Sequence, residues 1–401
     1  MNLSLPCVGA ALALGCASSV DGAHASDAGV IDVGASDVPL GPIPGCPAAQ
    51  GPRGRWASVA LPDDFAARED PAALSAGDAL IVYGGRGERT DLSDAWRYLP
   101  RTDRWERLPD SGLAGPARAL AVAWVAARGE LFVWSGFRRV GARWSASAGW
   151  RPLPTAGAPT SFATRAVVAG GFVLVAGADA PGDHNEFVRY DPAADRWDAV
   201  LAPREQTVRG SFAFVSLGDT AMVFGGTDGT TDTGVPRNDG WRVHVPSLTW
   251  SGVAREGAPT PRWGHGAWWT GDAALVWGGN DGSISLHSGA RYFAGPDAWV
   301  AMPAAGSPGP VDRNAGSYDQ SAAWTGGDLY AWTLTAAGEA DAARFDPRAG
   351  RWFPADPPLD AARHHAAATA WHDCALYVVG GQTRVDGRPV GLSREVARWT
   401  P

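Results

Sequence analysis

The chain contains no lysine. All 34 of its basic Lys/Arg positions are arginine, set against 42 acidic residues for a formal net charge of −8. That balance excludes a general nucleic-acid footprint. No Gly-rich phosphate loop, G-x-S-x-G elbow or H-E-x-x-H pair is present. Cysteine is scarce, with four in 401 residues, which limits thiol-based metal or redox chemistry to very few positions. Long apolar runs are also missing. The longest, in MNLSLPCVGAALALGCASS at the start, is too short to span a bilayer. What the chain does have is 52 Gly, 31 Pro and 20 Trp, a mixture of turn-formers and large flat side chains that points to many short strands around an aromatic core.

Those residues are ordered. An apolar run at 80–83 ends in Gly84 and Gly85, and a polar loop leads to Tyr98, a Pro/Asp turn and Trp105. The run with its Gly pair returns as AMVFGG (Gly225, Gly226), ALVWGG (Gly278, Gly279) and LYVVGG (Gly380, Gly381). It returns weakened as LFVWSG, VLVAGA and LYAWTL. The aromatic-to-Trp spacing returns as Tyr190/Trp197, Tyr292/Trp299 and Phe345/Trp352, while Val243/Trp250 keeps the spacing with an aliphatic residue. The period is roughly 42–55 residues, in the range of propeller-type repeats. A short apolar strand closed by Gly-Gly, followed by a return strand closed by a Pro/Asp turn, is hairpin chemistry. One such sheet cannot bury both faces and must stack on copies of itself.

The pattern resembles the kelch motif, in seven in-phase copies over about residues 55–401. The resemblance implies an all-β, seven-bladed propeller. In it the Gly pair ends the second strand of each blade, the Tyr lies on the third and the Trp on the fourth. Trp56, in GRWASVALP, matches Trp105 and looks like a fourth strand with no blade before it. The last repeat stops after REVARWTP, where Trp399 stands in the place of Tyr98. The N-terminal strand is therefore expected to pair into blade seven and close the ring, leaving no open edge.

Six arginines precede the inner strands: Arg68, Arg118, Arg209, Arg262, Arg313 and Arg363. They read either as structural ties bonding carbonyls and loop carboxylates, or as an anion-binding rim at the mouth of the channel. In the third repeat the nearest arginine, Arg165, is out of phase. The loops after the Gly pairs vary most, and variable loops on a repeated scaffold are where binding is expected. The copper site of galactose-oxidase-like relatives does not carry over. It needs a Cys crosslinked to Tyr plus two His, and the only Cys in the repeats, Cys374, starts an apolar strand. His364 and His365 alternate along a strand and cannot easily chelate together. Asp228/Asp232 and Asn280/Asp281 read as turn-formers. No metal or cofactor is expected. The function read from the sequence is a non-catalytic binding module, a monomer recognising a protein or glycan with its loop face. The alternative is an enzyme acting on an acidic sugar or other anion at the Arg-rimmed mouth.

Residues 1–16 read as an export signal ending in a lipobox-like Leu14-Gly15-Cys16, with Cys16 the acylation site and the outer membrane the destination. Ala23-His24-Ala25 offers an ordinary cleavage site and a secreted or periplasmic product instead. Residues 17–54 read as a flexible tether, and 55–401 as the propeller. Export leaves Cys46 and Cys374 where disulfides persist, and ring closure brings them to one face of blade seven. A bond between them is expected; two unpaired thiols are the alternative.

Overall fold

The computed structural model describes residue 46 and residues 54–113, 120–178, 185–206, 208–228, 234–309, 320–334, 340–358, 367–385 and 388–401. Cys16, Arg118, Arg313 and Arg363, and the signal and nearly all of the tether, lie outside the described residues. Seven four-stranded antiparallel sheets follow one another. Blade 1 is Ala72–Ala76, Ala79–Arg86, Asp91–Leu99 and Arg104–Arg107. Blade 2 is Leu120–Val125, Glu130–Ser135, Val140–Ser145 and Gly149–Pro152. Blade 3 is Phe162–Ala169, Phe172–Ala178, Glu186–Asp191 and Arg196–Val200. Blade 4 is Ala213–Leu217, Thr220–Phe224, Gly240–His244 and Thr249–Gly252. Blade 5 is Gly266–Trp269, Ala274–Trp277, Gly289–Phe293 and Ala298–Ala301. Blade 6 is Gln320–Trp324, Leu329–Leu334, Ala340–Asp346 and Arg351–Ala355. Blade 7 is Ala368–His372, Ala375–Val379 and Val396–Thr400, with Arg55–Ser58 as its fourth strand.

The first strands touch one another in cyclic order, blade 1 to blade 7 and back to blade 1, so they line the axis. The fourth strands of blades 1, 4 and 7 are mostly exposed and lie outermost. There is no single central core. Seven apolar layers fill the seven gaps between blades, each drawing on both neighbours. The layer between blades 6 and 7, for example, joins Tyr330 and Trp332 to Leu376, Val378 and Trp399. Burying both faces of every sheet this way is what a lone amphipathic sheet lacks.

Register explains the aromatic spacing. In blade 1, Tyr98 pairs with Leu80 on one side and Trp105 on the other, so all three project from the same face toward blade 7. In blade 7, Trp399 pairs with Leu376 and Trp56 and fills the same positions. The fourth-strand indole also has a fixed partner. Trp105, Trp150, Trp197, Trp299 and Trp352 each donate to a carbonyl just after the fourth strand of the preceding blade. Trp56 does the same, donating to the Asp356 carbonyl at 3.0 Å after the fourth strand of blade 6. Among the described residues Trp250, whose third-strand neighbour is Val243, has no such acceptor. Cys46 and Cys374 form a disulfide, with Cα atoms 5.4 Å apart.

Candidate functional site

Each blade presents two ends. At one end lie the short turns joining first to second and third to fourth strands. At the other lie the segments leading into the first strands together with the loops joining second to third strands. This second end, the loop face, carries the Gly pairs, and their glycines are required twice over. Gly225 and Gly226 have φ of +64° and +90°, a region side chains avoid. A Cβ on Gly226 would also stand 2.5 Å from the carbonyl oxygen of Gly210, and one on Gly225 2.8 Å from that of Arg262 in the next blade.

That close approach belongs to a repeated staple. The main-chain carbonyl of Arg68 accepts from the N–H of Gly381 in blade 7 at 2.7 Å. Its guanidinium donates to the carbonyl of Gly84 in its own blade at 2.9 Å. Arg262 does likewise, accepting from Gly226 at 2.9 Å and donating to Gly278 at 2.9 Å. Arg209 donates to Gly225 at 3.1 Å. Its own carbonyl meets the side chain of Asn185, because blade 3 lacks the second glycine; Asn185 also bonds the Gly177 carbonyl. All three arginines are fully buried. Arg68 and Arg209 each face a carboxylate. Arg68 forms a two-pronged pair with Asp94 at 2.9 and 2.8 Å, and Arg209 meets Asp239 at 3.1 Å. Burial alone would raise both carboxyls, but the arginine charges and hydrogen bonds outweigh it and hold Asp94 and Asp239 below the usual value.

Blade 5 departs from this. Ser288 stands where Asp94 stands in blade 1, so Arg262 meets only neutral acceptors: the carbonyls of Thr260, Gly278 and Ser288 and two hydroxyls. Burial pushes its guanidinium down to about 10, offset only in part by Asp281. Blade 3 departs differently. No arginine stands sixteen residues before Gly177, and Glu186 reaches back to accept from the N–H groups of Thr160 and Ser161 at 2.9 and 2.7 Å.

The guanidinium groups of the three described arginines of the expected rim are buried and bond within their own blades, while the main-chain carbonyls of Arg68 and Arg262 make the link to the preceding blade. The partner carboxylates Asp94 and Asp239 escaped the sequence reading. The signal for them is an acidic residue two before a third-strand Trp, in Asp94-Ala-Trp96 and Asp239-Gly-Trp241. His265 and His372 are buried, and burial lowers both; for His265 the charges of Arg262 and Arg165 add to it. Among the described residues, no group of three His, Cys, Asp or Glu is placed to hold a metal.

The loop face carries most of the exposed large apolar side chains among the described residues. Phe137, Val140, Phe162, Val235 and Val390 are five of the seven exposed large apolar side chains among the described residues, and all lie at this end of their blades. The other two, Leu201 and Val300, lie at the outer strands. A Kelch motif model matches residues 67–112, which bracket blade 1. No curated protein matches the chain. With the same strand plan in all seven sheets, the chain is a seven-bladed β-propeller whose first blade matches the Kelch motif.

Proposed function

We propose that the molecule is an exported, non-catalytic binding module that recognises a protein through its loop face. The kelch propeller fold in general suggests protein binding. The observation that carries the reading here is the gathering of exposed large apolar side chains on one end of a rigid ring. Solvent-exposed apolar groups suit a protein surface better than a glycan, the other ligand class expected from the sequence. The enzyme alternative draws no support from Arg68, Arg209 and Arg262, whose terminal nitrogens are already engaged. The Cys46–Cys374 bond accords with an oxidising compartment, and acylation at Cys16 would anchor the protein to the outer membrane.

Photo-crosslinking in intact cells tests both parts. A crosslinking residue placed at Phe137 or Val390 should capture a discrete protein, while one at Thr102 on the opposite face should not. Equal capture from both faces, or from neither, would defeat the loop-face reading. Separately, Cys16→Ser should move the protein from the membrane to the soluble fraction. Wild type found wholly soluble, with Ser26 as its first residue, rejects the anchor.

A further inference from the structure

The loop between the second and third strands of blade 2 is only four residues long. Residues 136–139 form a turn closed by the pairing of Ser135 with Val140. The N–H of Arg139 bonds the Ser135 carbonyl at 2.7 Å, and that of Arg138 bonds the Ser135 hydroxyl at 3.3 Å. Arg139 is held at φ +57°, a conformation arginine seldom adopts. The turn is thus fixed by its own hydrogen bonds, and the side chain it presents, Phe137, is 61% exposed. Beside it stands Phe162, 37% exposed, at the start of blade 3; the two rings meet edge to face with centroids 6.4 Å apart. The ring pair thus bridges blades 2 and 3.

Arg138 and Arg139 are exposed, and among the described residues neither guanidinium forms an ion pair. Glu186, at the start of the third strand of blade 3, is capped by the N–H groups of Thr160 and Ser161 and the hydroxyl of Thr160. An aromatic pair flanked by unpaired arginines is the composition of an interface hot spot, and a turn that does not need to be ordered on binding loses little entropy there.

We propose, resting on the loop-face reading above, that Phe137 and Phe162 with Arg138 and Arg139 dock an acidic linear segment of a partner protein bearing a large apolar side chain. The apolar side chain packs against the ring pair and its acidic neighbours meet the two guanidinium groups. The two exposed guanidinium groups supply the electrostatic match for such a segment.

The test uses three labelled synthetic peptides with the same central Phe, flanked by Glu, by Gln or by Lys, titrated with the folded protein by fluorescence anisotropy. The Glu peptide should bind best, and its affinity should fall with added salt. Phe137→Ala and Phe162→Ala should each weaken it by about tenfold. Arg138→Gln with Arg139→Gln should weaken it and flatten the salt dependence. Val300→Ser on an outer strand and Thr102→Ala on the opposite face should match wild type. The proposal is overturned by no binding of the Glu peptide at millimolar concentration, by equal binding of the Gln or Lys peptide, or by indifference to Phe137→Ala and Phe162→Ala. Concentration-dependent dimerisation abolished by Phe137→Ala would place a second copy on the ring pair and also overturn it. If cellular crosslinks from the loop face persist while these peptides fail, this docking site falls and the loop-face reading stands. If position 137 and position 390 both give no crosslink, the wider reading falls as well.

Discussion

A buried guanidinium is stabilised by what faces it, and the blades run a natural comparison. Arg68 has the carboxylate of Asp94, whereas Arg262 has the hydroxyl of Ser288 at the matching place. Removing the anion from a buried pair strands the charge, so Asp94→Ser should cost about 3–5 kcal/mol. The reverse change supplies a missing partner. Ser288→Asp is expected to raise stability by about 1–2 kcal/mol, the scale of a hydrogen bond to a charged group. Urea unfolding of both variants checks this; a Ser288→Asp protein less stable than wild type would mean that blade 5 has no room for the carboxylate. His265, also buried, responds to pH in a fixed direction. Burial first, and then the charges of Arg262 and Arg165, push its imidazole well below the ordinary 6.5. The unfolded chain therefore binds this proton at a higher pH than the folded chain does. The resulting stability is fully present above about pH 6.5 and is lost as the pH falls below it toward the folded value. The melting temperature should drop between pH 7 and 5, and His265→Gln should flatten part of that drop. A His265→Gln profile as steep as wild type would assign the acid sensitivity elsewhere, for instance to His372, which is lowered by burial in the same way.

At the scale of an element, the hairpin joining third and fourth strands shows how one residue serves two ends. Asp103 sits at φ +49° and accepts the hydroxyl of Tyr98 at 2.6 Å. Asp195 serves Tyr190 at 2.6 Å, and Asp297 serves Tyr292. Where the aromatic lacks a hydroxyl the aspartate goes too: Phe345 is followed by Gly350 at φ +63°, and Val243 by Leu248 at φ +58°. Asp103→Gly keeps the left-handed turn and loses only the acceptor, so it should cost about 1 kcal/mol. Asp103→Ala loses both and should cost more. In a cycle with Tyr98→Phe the Gly variant should show coupling; additive effects would remove the hydrogen bond from the account. The sequence made this hairpin legible as a turn but not as a bonded pair, although the matched Tyr/Asp and Phe/Gly combinations carried the signal. The Gly pairs and the aromatic-to-Trp spacing were legible because they repeat at fixed offsets set by strand register. The carboxylates of the staples were hidden because loop length shifts them: Asp94 lies 26 residues after Arg68, but Asp239 lies 30 after Arg209. In blade 3 the out-of-phase Arg165 marked a real change, the loss of the arginine sixteen residues before the glycine, with Glu186 bonding the N–H groups of Thr160 and Ser161. Phe137 and Phe162 were illegible as a surface, because nothing in a local sequence separates an exposed Phe from a core one.

At the scale of the whole molecule the weak point is the fourth strand of blade 7. It is four residues long and mostly exposed, and it belongs to the opposite end of the chain from the strand it pairs with. Its hold comes from Trp56, which donates to Asp356 and Tyr330 and packs edge-on against the Tyr330 ring at 5.9 Å, and from the bond between the N–H of Val59 and Val396. So short a strand would be the first to detach, and detachment would expose the edge at 396–400. The disulfide lies just upstream of this strand and spans 328 residues, so it restricts the unfolded chain across almost its full length. The chain-entropy account sets roughly 5 kcal/mol as the upper limit of its stabilisation. Cys46→Ser with Cys374→Ser should therefore lower the melting temperature and increase protease cleavage near residues 54–62. Deleting residues 54–62 should go further. Because each blade packs against both neighbours, the loss should appear as one cooperative transition at lower temperature. Two separated transitions in the deletion variant, or a melting temperature unchanged by loss of the disulfide, would show that blade 7 is stable without the strand and that the N-terminal segment is an attachment to the ring and not its closing part.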